Sequence, residues 1–319
     1  MSRTLEPLTI DDVRAARERI ASTVVRTPLV RLDVDTPAEI WLKLETLQPI
    51  GSFKLRGATN AIRMLSPAQL ADGVYTASAG NMAQGVAWGA RALGVPCSVV
   101  MPDSAPRTKV DAVKRLGASI VPLPYDEWWA TLVNHGRDGM RGAFIHPVAD
   151  RAVMAGNGTV GLEISEDLPD VDEVLVPFGG GGLVSGIATA IRATAPGAAI
   201  YGCEVATSTP LTAAFAAGEP VTVERQPSFV DGIGGRNVLP EMWPFVRTLL
   251  SGALVASLDD VGSAVRLLVE RARVVAEGAG ATPLAAALAH RAQMNGRKIV
   301  CVVSGGNIDT AVLAGLLHT

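Results

Sequence analysis

The chain is poor in the groups that usually carry protein chemistry. Its 319 residues include four histidines and three cysteines, and only 4% are aromatic. His135, His146, His290 and His318 form no HExxH pattern, and no GxSxG turn presents a nucleophilic serine, so two common hydrolase templates are excluded. Cys97, Cys203 and Cys301 are widely separated in the apolar runs "VPCSVV", "IYGCEV" and "IVCVVS". That odd set reads as three buried, reduced thiols rather than as a metal or redox site. Positive charge is not in excess: the formal net charge is −3, with no local cluster of Lys and Arg. Nucleic acid and anionic membrane are thereby disfavoured as partners, which leaves small molecules. No apolar stretch reaches the roughly 18 residues that a membrane span requires. The start, "MSRTLEPLTIDDVRAARERI", lacks the apolar core of a signal peptide, so a cytoplasmic location is expected.

What is present is the composition of a globular protein, 48% hydrophobic and 18% charged. Short β-branched runs alternate with longer Ala-rich segments of helical period: "IWLKLE" before 53–65, "VYTAS" before 82–93, and "CSVVMP" before 108–116. After "SIVPL" the alternation resumes with "EVLVPF", a helix over 183–193, "AIYGCEV", and "KIVCVVS" before a last helix. This order predicts an α/β fold with parallel strands buried on both faces. "RALGVP" and "KRLGAS" put Gly just past a helical run, as a helix C-terminus prefers. Trp128 and Trp129, adjacent in a chain with five Trp, suit either core packing or a dimer face, or else an aromatic wall facing a ligand.

Three strand-to-helix loops stand out. Gly179, Gly180, Gly181 and Gly182 are consecutive in "VPFGGGGLVSG", and so much lost backbone entropy suggests close approach to a phosphate at a helix N-terminus. The spacing is neither GxGxxG nor GxxxxGK[ST], so a small phosphorylated cofactor fits better than a nucleotide. "TASAGNMAQG" places Ser78, Gly80 and Asn81 at a second turn, suited to a carboxylate or a ring hydroxyl. "IVCVVSGGNID" ends a strand at Ser304. In open α/β sheets, ligands collect at the carboxyl ends of strands, so the three loops predict one crevice.

"GSFKLRGA" adds one lysine. With Ser52 as N-cap, Lys54 falls in the first helical turn, where the macrodipole disfavours a cation. It is either an ordinary surface charge at a helix start or a partly desolvated amine of lowered pKa, suited to Schiff-base chemistry.

In order, "GSFKLRGA", "SAGNMAQG", "FGGGGL", "VVAEGAGA" and "SGGNID" resemble the fold type II pyridoxal-phosphate enzymes, specifically the threonine/serine dehydratase and serine racemase group; the likeness runs from Arg26 to Asp309. The resemblance implies two domains with mainly parallel twisted sheets flanked by helices, residues 1–71 with 150–319 forming the larger and 72–149 the smaller. Pyridoxal 5'-phosphate would sit in the cleft between them. It further implies that Lys54 holds the cofactor as a Schiff base and removes the Cα proton, and that Gly179 to Gly182 with Leu183 cradle the phosphate. Asn81 would meet the ring 3-hydroxyl, Phe53 the ring face, and Ser304 the pyridine nitrogen, while Glu277 would lie near the ring. Ser78, Ala79, Gly80, Asn81 and Met82 would form the loop for the substrate carboxylate. The expected reaction is β-elimination from a β-hydroxy amino acid such as threonine or serine, giving a 2-oxo acid and ammonia, in a homodimer.

Several positions depart from the family pattern. Ala79 stands where racemases carry a second serine, which disfavours racemisation. Met82 replaces the usual His and, with the Trp pair, raises a dehydratase for 3-hydroxyaspartate, a phenylserine-like compound or an osmolyte-derived amino acid as an alternative. A serine racemase and a non-catalytic cofactor-binding protein complete the alternatives. Glu204 keeps one acid of a family cation site, but Ser208 and Pro210 replace the later ones, so no metal is expected. Asn157 stands where Gln is common. The sequence ends shortly after "SGGNID", so no regulatory domain responding to isoleucine is expected.

Overall fold

Ten strands form two sheets among the described residues, 5–290 and 295–318, of a computed structural model. The strands are β1 (Leu29–Arg31), β2 (Glu39–Leu44), β3 (Val74–Ala77), β4 (Cys97–Pro102), β5 (Ser119–Leu123), β6 (Ala143–Phe144), β7 (Glu173–Pro177), β8 (Ala199–Val205), β9 (Gly252–Ala256) and β10 (Lys298–Val303). Their helices are α1 (Ile10–Ile20), α2 (Lys54–Arg63), α3 (Pro67–Leu70), α4 (Asn81–Leu93), α5 (Arg107–Arg115), α6 (Tyr125–Val133) and α7 (Arg151–Asp167), followed by α8 (Gly182–Thr194), α9 (Pro210–Ala217), α10 (Trp243–Leu249), α11 (Leu258–Leu267), α12 (Gly278–Ala289) and α13 (Thr310–His318).

The larger sheet runs β1-β2-β10-β7-β8-β9 and the smaller β5-β4-β3-β6. Every pairing is parallel except β1 with β2. Continuous apolar runs such as "KIVCVV" and "EVLVP" become central strands because helices cover both faces of the sheet. Gly94 (φ +69°) and Gly117 (φ +90°) terminate α4 and the turn after α5, as the Gly pattern predicts. Cys97, Cys203 and Cys301 are all buried free thiols. No helix among the described residues is long and apolar enough to cross a membrane.

Packing is continuous from one sheet to the other through α2. Ala58, Ala61 and Ile62 of α2 join the core that covers the smaller sheet, with Val153 of α7. The helices meet backbone to backbone: a Cβ on Gly57 would lie 2.8 Å from the Val153 carbonyl, and one on Gly156 would lie 2.5 Å from that of Arg56. Asn157 is buried at this contact, and its amide has no hydrogen-bond partner among the described residues; nothing in the structure explains an amide there.

Charge then locks α2 in place. Arg56 donates to both oxygens of Glu45 at 2.8 Å and to both oxygens of Glu163 at 2.6 and 2.9 Å. Lys43 Nζ lies 2.6 Å from Glu163 and donates to the Thr27 carbonyl, and the Thr27 hydroxyl donates to Glu45. All four charged residues are buried. Burial alone raises the Glu45 pKa, but Arg56 and the Thr27 hydrogen bond outweigh it and hold the carboxyl below its ordinary value. Burial dominates at Lys43, whose pKa is lowered despite Glu163.

Removing one partner of a buried network strands the others. Arg56→Met is expected to cost about 3–5 kcal/mol in urea unfolding near neutral pH. Because the folded-state pKa of Glu45 is lowered, its stabilising contribution is present above the unfolded carboxyl pKa of about 4.3 and is lost as pH falls. In the variant, protonation relieves an unpaired carboxylate instead. The gap between the two proteins should therefore narrow toward pH 4, as followed by urea titrations across pH.

Candidate active site

The loops after β3 and β10 meet at the start of α2, and the loop after β7 lies against Val148, next to the carbonyl that Lys54 reaches. Phe53 N–H donates to the Ser304 carbonyl at 2.9 Å, Gly306 N–H donates to the Gly51 carbonyl at 2.9 Å, and Ser52 pairs with Gly305 in an isolated bridge. This corrects the expectation that Ser52 caps α2. Its side chain makes no cap hydrogen bond; Phe53, itself in αR conformation, occupies the cap position, and Lys54 is the first helical residue. Ser52 Oγ is buried without a partner among the described residues.

Lys54 Nζ donates to the Pro147 carbonyl at 2.8 Å and lies 5.1 Å from the Phe53 ring centroid. Burial lowers its pKa to about 8, against a smaller opposing effect of Glu277. Such an amine is neutral in an appreciable fraction near neutral pH, which an exposed lysine is not.

Val148, next to that carbonyl, packs on the glycine loop. A Cβ on Gly180 would meet the Val148 methyls at 2.6 Å, and one on Gly182 would meet the Val148 carbonyl at 2.9 Å. Gly181 has φ +95° and ends the loop where α8 begins. Three of the four glycines are thus required by sterics, and the first N–H groups of α8 have no partner within the helix. Gly179 has only ordinary contact distances, and Leu183 contributes its side chain to the core beneath.

At the β3 loop, Ser78 Oγ accepts from Gly80 N–H at 3.2 Å, and nothing lies within 4 Å of where a Gly80 Cβ would stand. Ala79 occupies the same open turn, partly exposed. Asn81 is the first residue of α4 rather than part of the turn. Its Nδ2 donates to Glu277 at 2.8 Å, and its Oδ1 accepts from Asn307, which also donates to the Ile50 carbonyl. Burial raises the Glu277 pKa to about 7, Asp231 adds to the rise, and Asn81, Lys109 and Lys54 oppose it. Asp231 in turn pairs with Lys109 of α5 at 2.5 Å. A Cβ on Gly305 would lie 2.7 Å from the Glu277 carboxylate, so the β10 loop closes directly on it. Ser304 is buried at the strand end.

Met82 differs from its expected place. It is 1% exposed and packs with Ala58, Ile62 and Val99 in the core of the smaller sheet, so only its backbone, in the first turn of α4, adjoins the loop. Trp128 packs against the core formed by Tyr75, Ala77 and Val100, while Trp129 stays 37% exposed on α6. At the suspected cation position, Glu204 accepts from the N–H groups of Leu211 and Thr212 and from the Thr212 hydroxyl, capping α9, and Ser208 donates to the Gly235 carbonyl. Among the described residues no cluster of three His, Cys, Asp or Glu side chains suits a metal.

Sequence reasoning missed Pro147, Val148, Asn307, Asp231 and Lys109. Asn307 lies inside "SGGNID" and was legible there; the ion pair joins residues 122 positions apart and left no local signal.

Removing the Glu277 charge should let burial act alone on Lys54. Glu277→Gln is expected to lower the Lys54 pKa below about 8, read from the pH dependence of amine acylation in the cofactor-free protein. An unchanged or higher value would remove Glu277 from the field of Lys54.

Comparison with known proteins identifies the family. Residues 20–305 match the family model described as "Pyridoxal-phosphate dependent enzyme". L-threonine ammonia-lyase of Geobacter sulfurreducens is 42% identical over 308 residues, covering 95% of this chain and 76% of that protein. Among solved structures, the processed form of threonine deaminase isoform 2 from Solanum lycopersicum superposes with a TM-score of 0.86 at 29% identity, covering 100% of this chain and 91% of that one. Maize serine racemase superposes at 0.89 with 33% identity, covering 98% of each chain. With residues 20–305 matching that family model and relatives 38–42% identical over nearly its whole length, the chain belongs to the pyridoxal-phosphate-dependent enzymes.

Proposed function

We propose that this enzyme is an ammonia-lyase that eliminates the β-hydroxyl of threonine, serine or a close analogue, giving a 2-oxo acid and ammonia. The observation that carries the reading is Lys54: an amine at the start of α2 with its pKa lowered to about 8, held on a carbonyl whose neighbour packs against the glycine loop. Relatives 38–42% identical are named L-threonine ammonia-lyase or catabolic L-threonine dehydratase, which supports the substrate class.

The residues present fit the cofactor. Side chains at Gly180 and Gly182 would collide with Val148, so the bare backbone leaves N–H groups open to a phosphate. When bound, pyridoxal phosphate supplies an electron sink for negative charge developing at the substrate Cα. In this reading Lys54 Nζ holds the cofactor and afterwards accepts the Cα proton. Gly179 to Gly182 and the Leu183 N–H bind the phosphate. Asn81 meets the ring 3-hydroxyl and is kept from rotating by Asn307 and Glu277, on its two sides. Phe53 lies against the ring. Ser304 meets the ring nitrogen with a neutral hydroxyl, which favours elimination over reactions that need a long-lived carbanion. The backbone of Ser78, Ala79, Gly80, Asn81 and Met82 holds the substrate carboxylate at the N-terminus of α4.

Ala79 offers no hydroxyl on the opposite ring face, which supports elimination over racemisation despite the likeness to maize serine racemase. The bulkier-substrate alternative loses two supports, since Met82 and Trp128 are taken up by packing. We also propose that residues 1–71 with 150–319 and residues 72–149 act as two units around the cofactor, in a cytoplasmic homodimer.

Ammonia release across threonine, serine, 3-hydroxyaspartate and phenylserine tests the reading; turnover of none of them would sink it in favour of cofactor binding alone. Lys54→Ala should abolish the visible absorption of the holoenzyme and lower turnover by at least about 10³-fold. Gly180→Ala should weaken cofactor retention in an equilibrium titration, because the new methyl must displace Val148.

A further inference from the structure

The turn that touches both Lys54 and the glycine loop is held by an imidazole. His146 follows β6 and is 3% exposed. Its Nδ1 accepts two backbone hydrogen bonds, from Val148 N–H at 3.0 Å and Ala149 N–H at 2.7 Å. A ring nitrogen can accept only when it carries no proton, so this geometry requires neutral His146 with its proton on Nε2. The two bonds fold residues 146–149 back on themselves. The fold turns the Pro147 carbonyl toward Lys54 Nζ, seats Val148 on Gly180 and Gly182, and leaves Asp150 to cap α7 through Ala152 and Val153.

The ring itself is fixed from outside. His135 stacks on it at 4.3 Å between centroids and 25° between planes, with Phe144 edge-on at 6.0 Å. His135 itself has φ +54°, a left-handed conformation uncommon among residues other than glycine. Its Nε2 lies 3.3 Å from Glu241, which precedes α10 on the side of the larger sheet.

We propose that His146 is a positioning residue: neutral at Nδ1, it sets the turn that aims the Pro147 carbonyl at Lys54 and presses Val148 under the glycine loop. His146 touches neither substrate nor cofactor and acts through those two neighbours. The inference rests on Lys54 being the reactive amine and Gly179 to Gly182 the phosphate site.

Two kinds of measurement separate its failure from failure of that reading. In the cofactor-free wild-type protein, nitrogen NMR of labelled histidine should show His146 as the Nε2–H tautomer; a proton on Nδ1 overturns the proposal whatever the enzyme turns over. In the holoenzyme, His146→Leu should weaken cofactor affinity and lower kcat by about tenfold to a hundredfold, the scale expected for a small misplacement of reacting groups, and should shift the visible absorption band. His146→Asn, whose amide oxygen can accept the same two N–H groups, should recover both to within about threefold of wild type. Wild-type affinity, kcat and spectrum in His146→Leu would overturn the proposal. So would a His146→Asn protein that folds, by its melting transition, but is as impaired as His146→Leu. Loss of folding in the leucine variant leaves the tautomer and the asparagine rescue to decide.

Discussion

Arg56 follows Lys54 by two residues on α2, and its guanidinium grips two carboxylates that come from different layers, Glu45 after β2 and Glu163 on α7. Moving four charges out of water costs several kcal/mol for each, and only close, fully hydrogen-bonded contacts offset that cost. The network therefore tolerates no drift of the helix: a slide or rotation would separate ions in a region where water cannot replace the lost partner. Lys54, at the head of the same helix, inherits that fixity. The glycine contacts at Gly57 and Gly156 serve the same end by letting α2 lie against α7 without side chains between them.

Holding an amine partly out of water changes its acidity, and the neighbouring carboxyl is changed in the opposite sense. Lys54 comes down from 10.5 to about 8 and Glu277 goes up from 4.5 to about 7, each chiefly because burial penalises its charged form. Both groups are thus shifted toward their uncharged forms. Perturbation of this kind, from burial acting on paired titratable groups, gathers at functional sites. Asn81 and Asn307 add orientation without adding charge.

Much of this was legible in the sequence, and the reasons differ by element. The central strands were readable because parallel strands covered on both faces are written as unbroken β-branched runs, as in "KIVCVV" and "EVLVP". Four adjacent glycines announced a loop that side chains would obstruct, and the structure supplies the obstructing atoms in Val148. Lys54 was readable as an anomaly of the helix start. Ser52 misled because the serine-before-helix pattern is local, whereas its actual partner, Gly305, belongs to a loop over 250 residues away. Met82 misled because its place in the motif fixes its backbone but not the direction of its side chain, which the helical phase of α4 turns into the core. The Arg56 network and the His146 turn were invisible for a related reason: single polar residues, each ordinary in its own window, acquire meaning only when tertiary packing brings them together.

The glycine loop and the start of α4 present main-chain groups, and main-chain groups are the same for every amino acid. In mutational terms such a surface is almost free of side-chain identity, and obstruction is the chief way to change it. At Gly180 and Gly182 the smallest change, a methyl group, already collides with Val148, whereas at Gly80 nothing stands within 4 Å of the same methyl. The two loops thus differ in how they can vary: the first is obstructed at Gly180 and Gly182 by the neighbouring Val148, while the second leaves room at Gly80 for a new side chain that displaces none of the atoms around it.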